Sequence, residues 1–294
     1  MSDKKSFIAR IEESILRFTK PSYMDFEKDI HDFLMQRAEI TDAEAKVPFF
    51  KSRDWNGIQV FGFGDESSKI KVLFIHGGAY LNEINLQHLL YCRMLARQLG
   101  AYVIAPVYPL APNHSYAETF DIVTKLYGHL LEEKEKTTDK SNISLMGDSA
   151  GGGFVLSFCQ YLKEISLEQP DNIVVFSPWV DISMSNCPYE SEDDPILGEV
   201  GLREIGKEWA GDLDTKDYKV SPIYGDSEGL PRTLIFTGEN EIFYKDIKLF
   251  YENLIDCGVD ARLVVGKGLF HIYPMFPIPE ARDALKEIKK EFKK

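Results

Sequence analysis

The sequence predicts an α/β fold built on a mainly parallel sheet, and three observations predict it. Short apolar runs recur from about residue 47 onward. Most of them do not alternate apolar with polar residues, as expected of strands covered on both faces. Between them lie stretches with apolar residues three and four apart, so strand and helix patterns alternate along the chain.

Taken in order, residues 6–19 place Phe7, Ile8, Ile11, Ile15 and Phe18 on one face of a helix. Residues 25–38 repeat the pattern with Phe26, Ile30, Phe33 and Leu34, and Pro21 breaks the chain between the two. Strands are expected at Ile58–Phe63, Lys71–Ile75, Ala101–Pro106, Ile143–Met146, Ile173–Phe176, Thr233–Phe236 and Ala261–Val265. Helices are expected at about 86–99, 116–134, 150–165, 243–257 and 279–293. One interval breaks the alternation. From Ser177 to about Ser221 there is a helix-like segment near 200–210 and an acidic loop (Glu190, Glu192, Asp193, Asp194), but no strand pattern. The acidic spacing matches no calcium loop and reads as a solvated segment. An insertion of this length in an open sheet tends to carry function.

Composition narrows the function classes. The 294 residues are 44% hydrophobic, enough for one large core. A net charge of −13 disfavours binding to nucleic-acid phosphates. The lysines near the end (Lys286, Lys289, Lys290, Lys293, Lys294) are interleaved with Glu287 and Glu291 and read as a solvated helix end. Cys92, Cys159, Cys187 and Cys257 are far apart with no C-x-x-C, which suits free thiols in a reducing compartment and no metal site. No segment has the roughly 18 uninterrupted apolar residues of a spanning helix. No signal-peptide core is apparent, so a soluble, cytoplasmic protein is expected. A homodimer is left open.

The chemistry is concentrated at a few positions. Gly147-Asp148-Ser149-Ala150-Gly151 follows the apolar run Ile143–Met146, where a strand would turn sharply into a helix. That turn holds a serine in a strained conformation with its hydroxyl exposed, and a side chain at 147 or 151 would collide where strand and helix pass closely. Ser149 needs a base, because a serine hydroxyl barely ionises at neutral pH. His271, in the loop Gly268-Leu269-Phe270-His271 after the last strand, is the candidate. His31, His88 and His129 fall on expected helices, and His114 lies in a loop. His76 precedes Gly77-Gly78-Ala79 directly after a strand and reads as a residue that fixes that loop. Adjacent glycines let the backbone aim N–H groups at a developing oxyanion, so Gly77, Gly78 and Ala150 are the candidate donors. The base needs an acid to orient it. The loop after Thr233–Phe236 offers Glu239, Glu241 and Asp246.

The order serine, acid, histidine is that of the α/β-hydrolases. The chain resembles them from about residue 45 to the end, and within them the hormone-sensitive-lipase-like esterases. The matching pieces are His76-Gly77-Gly78, Tyr108-Pro109-Leu110-Ala111-Pro112, Gly147–Gly152, Ser177-Pro178-Trp179-Val180-Asp181 and the loop at His271. Three departures stand out. Ala79 takes the place of a third glycine, Val107-Tyr108-Pro109 replaces an Asp-Tyr-Arg, and Glu241 occupies the slot usually held by the family's catalytic aspartate. By that register the resemblance implies a Ser149–His271–Glu241 triad. It also implies a helical cap made of residues 1–45 and an insertion at about 183–215 on a hydrolase domain of residues 46–294. The implied activity is hydrolysis of small, short-chain carboxylic esters without metal or organic cofactor. An amidase or peptidase with the same triad and a non-catalytic small-ligand-binding protein of the same fold are the alternatives. The apolar faces of the first two helices suit a cap better than a membrane anchor, because acids as well as bases flank them.

Overall fold

The computed structural model describes residues 5–40, 44–136, 141–186 and 194–292. Eight strands form one sheet in the order β1-β2-β4-β3-β5-β6-β7-β8. They are β1 (Arg53–Trp55), β2 (Ile58–Phe63), β3 (Ile70–Ile75), β4 (Tyr102–Pro106), β5 (Asn142–Asp148), β6 (Asn172–Phe176), β7 (Thr233–Gly238) and β8 (Ala261–Gly266). The pairings β1–β2 and β2–β4 are antiparallel, and the other five are parallel. The helices are α1 (Phe7–Thr19), α2 (Glu27–Ala38), α3 (Leu86–Leu99), α4 (Tyr116–Lys136), α5 (Ser149–Glu164), α6 (Glu199–Ala210), α7 (Tyr244–Asp256) and α8 (Pro279–Glu291).

Successive strand residues feed opposite faces of the sheet, and both faces are covered. Leu73, Ile75, Leu145, Ile173, Val175 and Ile235 join one buried cluster. Their neighbours Val72, Phe74, Met146, Val174, Phe176 and Leu234 join the other. This explains the continuous apolar runs: with both faces covered, most strand positions are apolar. Strand β1 lies outside the expected set. It is held by an Asn56-Gly57 turn in which both residues have positive φ, a two-residue hairpin signature.

The first helix departs from expectation. Phe7, Ile8, Ile11, Ile15 and Phe18 all face outward, and Phe18 is 92% exposed. The helix instead packs through Ala9, fully buried, and Leu16. Its start is fastened by Ser6, whose amide and hydroxyl both donate to the Glu280 carboxylate, at 2.6 and 3.0 Å. In α2, Ile30 is buried and Phe33 and Leu34 are half-buried, while Phe26 is exposed. Helix α6 lies against the turn Ser22–Met24 at close range. A Cβ at Gly198 would stand 2.3 Å from the Met24 carbonyl oxygen, and one at Gly201 2.7 Å from that of Tyr23.

The acidic insertion also differs from the solvated loop expected. Glu190, Glu192, Asp193 and Cys187 lie outside the described residues. Asp194 is buried. Cys92 and Cys159 are buried free thiols, and Cys257 is half-buried and free. Among the described residues no helix is long and apolar enough to cross a membrane, and no cluster of His, Cys, Asp and Glu could hold a metal ion.

Candidate active site

The site gathers at the carboxyl ends of the parallel strands, where open α/β sheets place their chemistry. Ser149 follows β5 directly with φ 51°, a left-handed conformation costly for a residue with a Cβ. The turn is possible because its flanks are glycines. A Cβ at Gly147 would sit 2.5 Å from the Gly151 carbonyl oxygen, and one at Gly151 only 2.1 Å from that of Ile75. Helix α5 begins at Ser149, so its first amides and their dipole face the same point.

His271 Nε2 lies 2.8 Å from Ser149 Oγ. Its Nδ1 lies 3.5 Å from Glu241 Oε2 and has no hydrogen-bond partner. That separation is at the outer edge of hydrogen-bond reach, a looseness common in free enzymes that tightens when a substrate binds. Ser149, Glu241 and His271 are all buried, so no bulk water competes for these contacts. Phe243 packs its ring edge-on to the imidazole, with centroids 5.3 Å apart.

Of the three candidate acids, Glu241 is the one that stands against the imidazole, 3.5 Å from Nδ1. Glu239 is exposed and accepts the Gly268 amide at 2.8 Å, tying the β7 loop to the β8 loop. Asp246 is in the first turn of α7 and accepts Asn186 Nδ2 at 2.7 Å. Glu241 is held from three sides. Ser177 Oγ donates to Oε2 at 2.6 Å, Thr237 Oγ1 donates to Oε1 at 2.7 Å, and the Gly238 amide approaches Oε2 at 3.3 Å. Ser177 also accepts the Ile272 amide at 2.9 Å, so one hydroxyl braces both the acid and the residue after the histidine. Sequence reading placed Ser177 in a matching motif but gave it no part in the site. Its link to position 241 is visible only once β6 and β7 are adjacent.

The oxyanion loop requires a correction. The Gly77 amide is not free: it donates to Asp148 Oδ1 at 3.0 Å. Gly78 and Ala150 remain candidate donors, and the amide of Ala79 comes next in the same loop. Gly78, Ala79 and Tyr80 have φ of 116°, 54° and 59°, a run of left-handed residues that turns peptide groups away from the strand direction. The loop is secured from behind. Tyr108 OH donates to the His76 carbonyl at 2.7 Å, and its ring stacks on the His76 imidazole at 4.3 Å. Tyr80 OH donates to the Ala150 carbonyl at 2.7 Å, and its ring stacks face to face with Trp209 of α6 at 3.9 Å. His76 is buried with Nδ1 2.7 Å from the Gly77 carbonyl oxygen. Burial, assisted by neighbouring His88, drives its pKa down to about 3, so it is a neutral structural ring.

Asp148 and His88 form a pair that sequence reading missed. His88 Nδ1 accepts the Asn85 amide at 3.2 Å in a helix capping box, which leaves the Nε2 proton facing Asp148 Oδ2 at 3.4 Å. Burial alone would raise the Asp148 pKa. Instead, the facing His88 and the Gly77 amide hold the carboxyl below its usual range. An open groove of about 780 Å³ runs between α2 and α6, lined by Ile30, Leu34, Pro112 and Glu208. None of Ser149, Glu241 or His271 lines it.

Similarity to known proteins agrees with this geometry. The chain is 31% identical over 230 residues to an esterase of Acinetobacter venetianus, covering 76% of this chain and 75% of that protein. It is 25% identical over 218 residues to an acetyl-hydrolase of Streptomyces hygroscopicus, covering 74% and 72%. Among solved structures, a hormone-sensitive-lipase homologue from a metagenome library superposes with a TM-score of 0.79 at 25% identity, covering 97% of each chain. Residues 72–275 match a family described by the alpha/beta hydrolase fold. That span contains Ser149, Glu241, His271 and the oxyanion loop, and the chain belongs to the α/β-hydrolase family, among its hormone-sensitive-lipase-like esterases.

Proposed function

We propose that the protein hydrolyses small carboxylic esters through an acyl-enzyme on Ser149. The observation that carries this reading is the 2.8 Å contact between His271 Nε2 and Ser149 Oγ at the first residue of α5. His271 takes the hydroxyl proton as Ser149 Oγ attacks the ester carbonyl. The carbonyl oxygen becomes an oxyanion held by the amides of Gly78, Ala79 and Ala150. Each such donor contributes roughly 2.7–4 kcal/mol to the transition state. Glu241 holds the imidazole and balances its charge while it is protonated. His271 gives the proton to the leaving alkoxide, and the alcohol departs. Water, deprotonated by His271, then attacks the acyl carbonyl, and the acid leaves as Ser149 recovers its proton.

Residues 1–45 and about 183–215 form the cap in this reading. The support is the Tyr80–Trp209 stack, the close approach of α6 to residues 22–24, and Arg37 Nε donating to the Leu81 carbonyl at 3.1 Å. These contacts support a cap in which α2 and α6 lie over the oxyanion loop and would keep water from Ser149. The relatives named esterase and acetyl-hydrolase favour short acyl chains. The buried thiols Cys92 and Cys159 suit a reducing, cytoplasmic setting. Hydrolysis of nitrophenyl esters from acetate to decanoate by wild type and Ser149→Ala tests the proposal. Wild type is expected to turn over the short esters, and the variant to lose on the order of a millionfold in kcat. A wild type inactive on every ester sinks the esterase reading and moves the search to amides.

A further inference from the structure

We propose that Tyr80 is a positioning residue for the oxyanion hole: its hydroxyl ties the loop that carries Gly78 and Ala79 to the helix start that carries Ala150, and Trp209 of α6 fixes its ring. The proposal rests on the Ser149 reading given above.

The candidate donors come from two separate pieces of chain. Gly78 and Ala79 belong to the loop after β3, and Ala150 to the first turn of α5. An oxyanion is held well only when both pieces stand at the right separation. Tyr80 bridges them. It follows Ala79 directly, and its OH reaches across to the Ala150 carbonyl at 2.7 Å. The Trp179 amide donates to the Ser149 carbonyl at 2.9 Å, and that carbonyl belongs to the same peptide group as the Ala150 N–H. The peptide that carries the helix donor is thus gripped at its own oxygen by Trp179, and the next oxygen is gripped by Tyr80.

Little freedom is left to Tyr80 itself. It is buried, and its main-chain carbonyl accepts the Ala111 amide at 2.9 Å. Its ring stacks on two indoles: on fully buried Trp209 with centroids 3.9 Å apart, and on Trp179 at 5.8 Å. A tyrosine side chain has two torsions, so fixing the ring fixes where the hydroxyl points.

The role can be separated from plain support of the fold. A carbonyl in the first turn of a helix also accepts the N–H four residues on, and its oxygen has two lone pairs. Loss of the Tyr80 hydroxyl therefore leaves the Ala150 oxygen bonded and costs little stability, while it removes the tie between the two halves of the hole.

The experiment compares wild type, Tyr80→Phe, Trp209→Leu and the double variant. Titration followed by ¹⁹F NMR measures the affinity of an alkyl trifluoromethyl ketone, whose carbonyl carbon takes Ser149 Oγ and whose oxygen becomes an oxyanion. The matching methyl ketone, used as a competitor, measures ground-state binding. Tyr80→Phe is expected to weaken the fluorinated ketone about tenfold and the methyl ketone less than about twofold, part of the roughly hundredfold that a misplacement of about 1 Å can cost. On esters, kcat falls by the same factor with KM held. Trp209→Leu keeps the hydroxyl but frees the ring, so its loss is smaller, and the double variant matches Tyr80→Phe instead of multiplying the two losses. Trp209→Phe keeps an aromatic face and restores most of the affinity, and it takes the place of the leucine protein should that not fold. An unchanged ratio of the two ketone affinities in Tyr80→Phe overturns the proposal, as does equal weakening of both ketones. Losses that multiply in the double variant overturn the part given to Trp209. A wild type that binds the fluorinated ketone but turns over no ester sinks the esterase reading, while the ratio still decides the part played by Tyr80. A wild type that forms no adduct overturns both.

Discussion

Asp148 Oδ1 stands 3.0 Å from the Gly77 amide, so the residue before the nucleophile fastens the loop opposite it. Glycine at 77 is what permits the contact, since a Cβ there would lie 2.3 Å from Asp148 Oδ2. The strand-to-helix turn at Ser149 and the oxyanion loop are thereby one rigid unit, with His88 behind the carboxylate at 3.4 Å.

Replacing Asp148 with alanine removes a charge-assisted hydrogen bond and leaves the Gly77 amide and His88 without their acceptor. We expect a stability loss of about 2–3 kcal/mol in urea unfolding. The kcat is expected to fall about tenfold to a hundredfold with KM changed less, because a shifted loop weakens oxyanion binding more than ground-state binding. An alanine variant with wild-type kcat would show that the loop holds its shape unaided.

Glu241→Gln and Glu239→Gln separate the two carboxylates nearest in sequence. A glutamine at 241 keeps the size of the side chain but cannot balance an imidazolium, and its amide can favour the wrong tautomer. The expected loss in kcat is about 10³- to 10⁴-fold, the scale seen when a triad acid becomes an amide. Glu239 is exposed and holds the Gly268 amide away from the imidazole, so its glutamine variant is expected within about threefold of wild type, a difference under 1 kcal/mol. Equal losses in both variants would remove Glu241 from the triad.

Most of the sheet was legible in the chain because strands covered on both faces need uninterrupted apolar runs, and Lys71–Ile75 and Ile173–Phe176 are such runs. Strand β1 was not: Arg53-Asp54-Trp55 has no apolar pattern, and only Asn56-Gly57 announced it. The helix at 6–19 was readable, but the direction of its apolar face was not. Periodicity gives a stripe and does not say whether Phe7 and Phe18 or Ala9 and Leu16 meet the core. In the site, local turns and loop glycines singled out Ser149 and His271, whereas Glu241 was set apart from Glu239 and Asp246 only by the register of the family the chain resembles. The error at Gly77 and the silence about Ser177, His88 and Asp194 share a cause. Each depends on a partner distant in sequence, so nothing local shows that an amide is already occupied or that an acid in an acidic run is buried.

Ser177→Ala tests the brace behind Glu241. The hydroxyl donates to Glu241 Oε2 at 2.6 Å and accepts the Ile272 amide at 2.9 Å. Its removal leaves that amide unsatisfied and frees the carboxylate to turn away from Nδ1. A stability loss of about 1–2 kcal/mol and a fall in kcat of about tenfold are expected. Ser177→Thr keeps the hydroxyl, but at φ 47° a β-branched residue is strained, so it is expected to restore rate better than stability. A full-speed alanine variant would leave Thr237 and Gly238 as sufficient support.

The acid side of the stability profile follows from His76. Its pKa is about 3 in the folded protein and near the ordinary 6.5 when the chain is unfolded. Above pH 6.5 the ring is neutral in both states and costs nothing. As pH falls from 6.5 toward 3, the unfolded chain takes up a proton that the buried ring refuses, so stability is lost as pH drops through this window. The slope for one proton is about 1.4 kcal/mol per pH unit. Asp148, held below its usual range, contributes in the same direction but only at pH values below the His76 onset. Urea unfolding of wild type between pH 7 and 4.5 is expected to show this slope, and His76→Gln, which carries no titrating ring, to be flatter by about one proton. Parallel profiles for the two proteins would mean that His76 is protonated in the fold. The stack on Tyr108 and the 2.7 Å contact with the Gly77 carbonyl would then hold an imidazolium rather than a neutral ring.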